Sequence, residues 1–156
     1  MLTAAIGIVV VTALAAIVNG IMIATGGKDL VKELLENAVG IGLSESDLDT
    51  AASLSGYDGL DGLVSSITTR GYLVAGAGAV LLLFGLLMSK AATYARVLVT
   101  ISAAAAMIFS LVVIADETTG TMAGLAALAI LGGILSIIFT WLPANGRYGK
   151  AIRAAG

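Results

Sequence analysis

Charged residues in this chain occur in clusters, and four long windows between them contain no charge at all. The windows cover residues 2–25, 72–89, 97–115 and 122–142, which are 24, 18, 19 and 21 residues long. About 20 apolar residues in a helix cross the hydrocarbon core of a bilayer, and a helix satisfies its own backbone hydrogen bonds there. The sequence therefore predicts an all-α membrane protein with four transmembrane helices.

The first window is expected to be a permanent span and not a cleaved signal peptide. No basic residue precedes it, and it is longer than the apolar region of a typical signal peptide. The polar segment at 26–71 is then a small domain between helices 1 and 2, and residues 143–156 form a basic tail.

Composition excludes most catalytic chemistry. Charged residues make up only 12% of the chain, mean hydropathy is +1.07, and there is no Cys and no His. Thiol nucleophiles, imidazole bases and the usual zinc ligands are therefore missing. No ionisable residue lies inside a window, whereas coupled transporters and proton pumps place such groups at membrane depth. We expect a protein that is not an enzyme, has no cofactor or metal, and does not bind nucleic acid.

The basic residues predict the orientation in the membrane. The turn between windows two and three and the tail after window four contain five Lys or Arg and no acid, whereas the opposite side contains all ten acids and three basic residues. Because Lys and Arg mark cytoplasmic loops, both termini are expected in the cytoplasm. Lys28 and Lys32, which follow the first window on the other side, are the argument against this orientation.

The segment at 26–71 has the apolar spacing of amphipathic helices. Two sets follow the i, i+3, i+4, i+7 pattern and a third is weaker: Val31, Leu34, Leu35 and Ala38; Leu60, Leu63, Val64 and Ile67; and Leu48, Ala51 and Ala52. Ser44 and Asp47 resemble a capping box in an Asp variant. The alternative is that these helices lie flat on the lipid. Because helices that do so usually carry a basic polar face and the polar face here is acidic, we predict a helical extracytoplasmic domain that packs on the bundle.

Small residues within the windows predict helix packing, because they let helix backbones approach closely in lipid. They recur at i, i+4 in the first and fourth windows, where the candidates are Ala16, Gly20, Gly124, Gly132 and Ser136. These stripes could close the bundle of this chain or contact another chain. Asn19, the most polar residue inside a window, is a candidate polar contact in the membrane, as a pore-lining group, an interhelical hydrogen bond, or a side chain that reaches water or a carbonyl near the interface.

Four acids of the polar segment, Asp47, Asp49, Asp58 and Asp61, are candidates for partner docking or for the vestibule of a pore. A solvated acidic face is the simpler reading of the same pattern, and no calcium-loop motif is matched.

Aromatic and basic residues mark the inner edges of the last two windows, where amphipathic side chains prefer the headgroup level. The predicted anchors are Tyr94, Arg96, Trp141, Arg147 and Tyr148. They belong to two short motifs, which run Thr-Tyr-Ala-Arg-Val-Leu-Val-Thr at 93–100 and Leu-Pro-Ala-Asn-Gly-Arg-Tyr at 142–148.

These motifs resemble those of uncharacterised four-span membrane proteins of Actinobacteria, in which an aromatic-Ala-Arg-Val-Leu-Thr element opens the third helix and a Leu-Pro…Arg-Tyr element ends the chain. The group often has Trp at the position of Tyr94 and often a Pro-rich N-terminus that this chain lacks. The resemblance covers about the second half of the chain. It implies the plasma membrane of a Gram-positive actinobacterium and implies no activity.

Taken together, these features predict a non-enzymatic accessory or scaffolding subunit of a larger membrane assembly. Its partners would be the lipid bilayer and either other membrane protein subunits or copies of itself. The alternative is a homo-oligomeric pore that favours cations, with the acids forming its outer vestibule.

Overall fold

The structure, a computed structural model, describes residues 2–87, 93–115 and 120–142, and five helices account for nearly all of them. They are α1 (Leu2–Val39), α2 (Glu45–Leu54), α3 (Gly59–Leu87), α4 (Thr93–Ala115) and α5 (Gly120–Trp141). All except α2 are long and apolar enough to cross a membrane. The fold is therefore all-α, and the chain is a multi-pass membrane protein.

The four long helices form a closed ring in which each helix contacts two others. Helix α1 packs against α3 and α5, and α4 packs against the same two helices from the opposite side. As residue numbers rise along α3, the contacted residues of α1 fall in number: Ala75 lies against Gly20, Gly78 against Ile17, and Gly85 against Val9. The pair is therefore antiparallel.

The buried residues of the long helices alternate in steps of three and four. In α5 the buried row is Met122, Ala126, Ala129, Gly133, Ser136 and Thr140; in α3 it includes Gly71, Val74, Gly78, Leu81 and Gly85. This is the heptad spacing of helices that cross at a small angle. Small side chains dominate these rows, so the helices approach closely and fill the centre of the bundle.

Two helices extend beyond the predicted windows. Helix α1 continues past Thr25 to Val39 with a break at Gly27, and α3 begins at Gly59, well before the predicted start of its span at Tyr72. The polar segment is therefore made of the last third of α1, α2 and the first turns of α3, and we call residues 28–70 the cap. Because α3 passes from the cap into the bundle without interruption, the two form one continuous unit.

Candidate functional site: an apolar cavity under the cap

A glycine redirects α1 where it leaves the bundle. Gly27 has φ 53° and ψ −142° inside an otherwise helical segment. An L-residue with a side chain rarely adopts this conformation, which is why a glycine stands here. The break lies at the Gly26-Gly27 pair that directly follows the first charge-free window.

Beyond the break, the apolar side chains of α1 pack against α2, α3 and the end of the bundle. Val31 packs with Leu48 of α2 and Leu60 of α3 in a small core within the cap. Leu30 and Leu34 instead join an upper bundle cluster that includes Val113 and Met122. The cap thus packs on the end of the bundle, as the acidic polar face of its helices predicted.

Three of the four predicted docking or vestibule acids take part in the structure of the cap. Asp47 completes the capping box of α2. Its carboxylate accepts a hydrogen bond from the Ser44 backbone N–H at 3.0 Å, and the Ser44 hydroxyl accepts one from the Asp47 backbone N–H. Asp49 accepts a hydrogen bond from the Leu60 N–H at 2.9 Å, at the start of α3. Asp61 pairs with Lys28 at 3.0 Å across two exposed side chains. Asp58 is exposed, at the turn before α3.

These interactions shift two pKa values in the cap. Hydrogen bonds from the side chain and then the backbone of Ser44 lower the pKa of Asp47 below its ordinary value. The hydrogen bond to Asp61, together with the attraction of its charge, raises the pKa of Lys28. Both groups are exposed to solvent, so their contributions to stability are small and screened by salt.

A cavity of about 520 Å³ lies between the cap and the end of the bundle. Its lining is almost entirely apolar and comes from the cap part of α1, the middle of α3, the end of α4 and the start of α5. Representative lining residues are Leu34, Val74, Phe109 and Met122. Arg70 is the charged residue in the lining, and Tyr57 provides a phenolic hydroxyl. Ligand pockets commonly have this size and this combination of apolar walls with few polar groups, which makes the cavity the candidate functional site.

The mouth of the cavity lies on the side of the bundle. Four lining residues are themselves exposed at the surface: Ala38 on α1, Leu73 on α3, and Val112 and Ala115 on α4. The cavity therefore opens between α3 and α4, below the cap helix of α1.

The predicted packing residues divide into two groups. Ala16 and Ser136 are buried, and Gly20 contacts α3 so closely that an added Cβ would lie 2.6 Å from the Gly71 carbonyl oxygen. Gly132 contacts Thr12 of α1, where an added Cβ would lie 3.0 Å from the Thr12 Cβ. These four residues close the bundle of this chain.

Gly124 does not join them. It is exposed, and a Cβ added there meets no atom within 4 Å. An i, i+4 row advances by roughly 40° around the helix at each step, so Gly124 and Thr140 point roughly 160° apart. The predicted stripe thus begins on the outer face of α5, at Gly124, and ends on the face of α5 that is buried in the bundle.

Asn19 is fully buried, with 0% of its surface exposed. Neither amide atom has a hydrogen-bond partner in the described part of the chain, and the same is true of the Ser110 and Ser136 hydroxyls. The structure thus shows no polar contact for Asn19 and does not place it within reach of water. The reason is its position seven residues after Thr12, which turns both side chains toward the centre of the bundle.

Three of the predicted interface anchors lie at the other end of the bundle from the cap. Tyr94 and Trp141 are exposed, and the Trp141 indole N–H donates a hydrogen bond to the Thr100 hydroxyl at 2.9 Å, joining α5 to α4. Arg96 is buried, because it lies on the inner face of α4, three and seven residues before the buried Val99 and Ala103. Arg147 and Tyr148 lie outside the described residues.

Sequence reasoning missed two features of the site. The first is a run of buried glycines in α3 at seven-residue spacing, Gly71, Gly78 and Gly85, all of which face α1. A search for heptad spacing would have found it. The second is the cavity itself, for which the sequence contains no local signal because the lining comes from four helices.

Comparison of the chain with protein-family models, with curated proteins and with solved structures found no match.

Proposed function

We propose that this chain is a non-enzymatic integral membrane protein that serves as an accessory or scaffolding subunit of a larger membrane assembly. The observation that carries the proposal is the combination of a closely packed bundle with a cap that packs on its end. The continuous helix α3 connects the two, so a partner that contacts the cap is held in a fixed position relative to the spans.

The structure gives a pore less support. The buried rows of the described helices are mostly small and apolar, and their polar members, such as Asn19, Ser110 and Ser136, pack inside a single chain. A homo-oligomeric pore would instead be lined by residues on the outer faces of the helices, between copies. Asp47 and Asp49 are engaged in holding helix N-termini, and Asp61 is engaged with Lys28. These acids stabilise the cap within one chain, a role that requires no vestibule formed by several copies.

One face of α5 is suited to contact with another chain. Gly120 and Gly124 are exposed, and a Cβ added at either meets no atom within 4 Å. They form a small-xxx-small pair, which lets the backbone of a neighbouring helix approach. Ala127 is exposed on the next turn.

We further propose that the protein lies in the plasma membrane with both termini in the cytoplasm, as the Lys and Arg distribution and the actinobacterial resemblance imply. The chain has no Cys, and Ser53 is exposed on α2. Ser53→Cys should therefore react with an impermeant thiol reagent in intact cells. Reaction only after permeabilisation would reverse the proposed orientation.

The accessory role is tested by mild detergent extraction followed by native mass measurement. We expect the chain to travel with other subunits, and Gly124→Leu to release it without lowering its own thermal stability. Gly76→Leu is the matched control, since Gly76 is an exposed glycine in α3 with no atom within 4 Å of an added Cβ.

Extraction of the native chain alone, with no effect of Gly124→Leu, would refute the accessory role. Reproducible single-channel currents from the purified chain, reduced by Asp58→Asn, would favour the pore instead. Asp58 is the better choice for that test, because Asp61→Asn would also remove the ion pair with Lys28.

A further inference from the structure

We propose that the cavity under the cap holds an acyl chain of an anionic membrane phospholipid, whose phosphate binds Arg70. The inference concerns a ligand site within a single chain, so it stands whether or not the accessory role is correct.

The lining selects the chemistry of the occupant. Leu30, Leu34, Val74, Phe109 and Met122 present hydrocarbon and a thioether, drawn from all four spanning helices. An apolar occupant forms dispersion contacts with such walls and leaves no polar group without a partner. A volume of about 520 Å³ lies within the roughly 300–1,000 Å³ typical of pockets for small molecules.

The depth of the cavity selects the source of that occupant. Ile23, Leu73 and Val112 line it, and each lies within three residues of the end of a charge-free window nearest the cap. Most of the other lining residues belong to the cap, so the cavity reaches from the edge of the hydrocarbon core through the headgroup region into the cap. Leu73 and Val112 are also exposed on the outer surface of the bundle, so the mouth opens toward bilayer lipid.

Arg70 selects the headgroup. It lines the cavity two residues before the second window begins, which is headgroup level. A guanidinium carries five N–H donors, so an arginine that already has an interaction within the chain can also donate to a phosphate oxygen. A lipid with a net negative charge suits this position better than a choline lipid, whose own cation would lie near the arginine.

The test uses the full chain in phosphatidylcholine vesicles that contain a phosphatidylglycerol with a photoactivatable diazirine on one acyl chain. After irradiation, mass spectrometry locates the label. We expect labels on cavity residues such as Leu34 and Phe109, in addition to lipid-facing residues such as Ile108.

Two matched substitutions probe the mouth. Val112→Trp places an indole at the opening, whereas Leu111→Trp places it on the neighbouring exposed residue, which does not line the cavity. Val112→Trp should reduce labelling of Leu34 several-fold, whereas Leu111→Trp should leave it unchanged. If Val112→Trp cannot be extracted in folded form, Ala38→Trp on the opposite side of the mouth carries the same expectation.

A third variant probes the headgroup. Arg70→Gln should abolish the preference of the cavity for the phosphatidylglycerol probe over a phosphatidylcholine probe that bears the same diazirine. The proposal is overturned if the lipid probe does not label Leu34 in the native chain, or if it labels Leu34 equally in the Val112→Trp and Leu111→Trp variants. An unchanged headgroup preference in Arg70→Gln would overturn the role of the arginine.

Discussion

The contact between α1 and α3 depends on two glycines that face each other, and substitution of one of them tests the packing directly. A Cβ added at Gly71 would lie 2.5 Å from the Ala24 backbone nitrogen and 2.8 Å from the Gly20 carbonyl oxygen. Both are backbone atoms of α1, so no side-chain rotation relieves the contact. Gly71→Ala can be accommodated only if the two helices move apart.

The size of the effect follows from the geometry. Ordinary nonbonded contacts between carbon atoms lie at about 3.5–4.0 Å, so the helices must separate by roughly 1 Å along their closest approach. Overpacking of this kind costs about 1–3 kcal/mol. We therefore expect Gly71→Ala to lower the free energy of unfolding by that amount.

Gly76→Ala is the matched control on the same helix. Gly76 is exposed, and its added Cβ meets no atom within 4 Å. Alanine in a helix is favoured over glycine by roughly 0.5–1 kcal/mol, so this variant should be as stable as the native chain or slightly more stable. The two alanine variants should then differ by about 1–4 kcal/mol.

The assay is equilibrium unfolding in mixed detergent micelles, followed by circular dichroism. Gly20→Ala should act like Gly71→Ala, because its Cβ meets the same pair of backbones. The double variant should cost less than the sum, since the first substitution already separates the helices. If Gly71→Ala unfolds no earlier than Gly76→Ala, the reciprocal glycine contact does not exist.

Three further predictions concern other parts of the molecule. Gly132→Leu should destabilise the chain by about 1–3 kcal/mol through its contact with Thr12, and Gly124→Leu should not; equal unfolding midpoints would contradict the division of α5 into a packed and an exposed face. Asn19→Leu should raise the free energy of unfolding by about 1–3 kcal/mol, because it removes a buried amide without partners, and a loss of stability would refute this reading. The pKa of Asp47 is lowered in the folded chain, so its stabilising effect is present at neutral pH and is lost as the pH falls through that pKa. Amide protection at the start of α2, corrected for intrinsic exchange, should therefore decline over that pH range in the native chain. Asp47→Asn should show no such decline.

Several local features could be predicted because their causes are local. The charge-free windows predict the four long helices, since length and hydropathy alone determine whether a helix can cross a bilayer. The capping box at Ser44 and Asp47 is confirmed, and the break in α1 lies at the glycine pair that follows the first window. Each depends on residues that are near one another in the chain.

The contacts between helices could not be predicted from the sequence and were seen only in the tertiary structure. Whether Gly124 or Gly132 packs on another helix depends on how α5 is rotated relative to α1, and neither helix encodes that rotation alone. The same rotation buries Asn19, which is close to the end of its window and would otherwise reach the interface. Only the assembly of four helices, whose lining residues are far apart in the sequence, creates the cavity at Arg70. A sequence determines which residues share a helix face, but the crossing of the helices decides which faces meet.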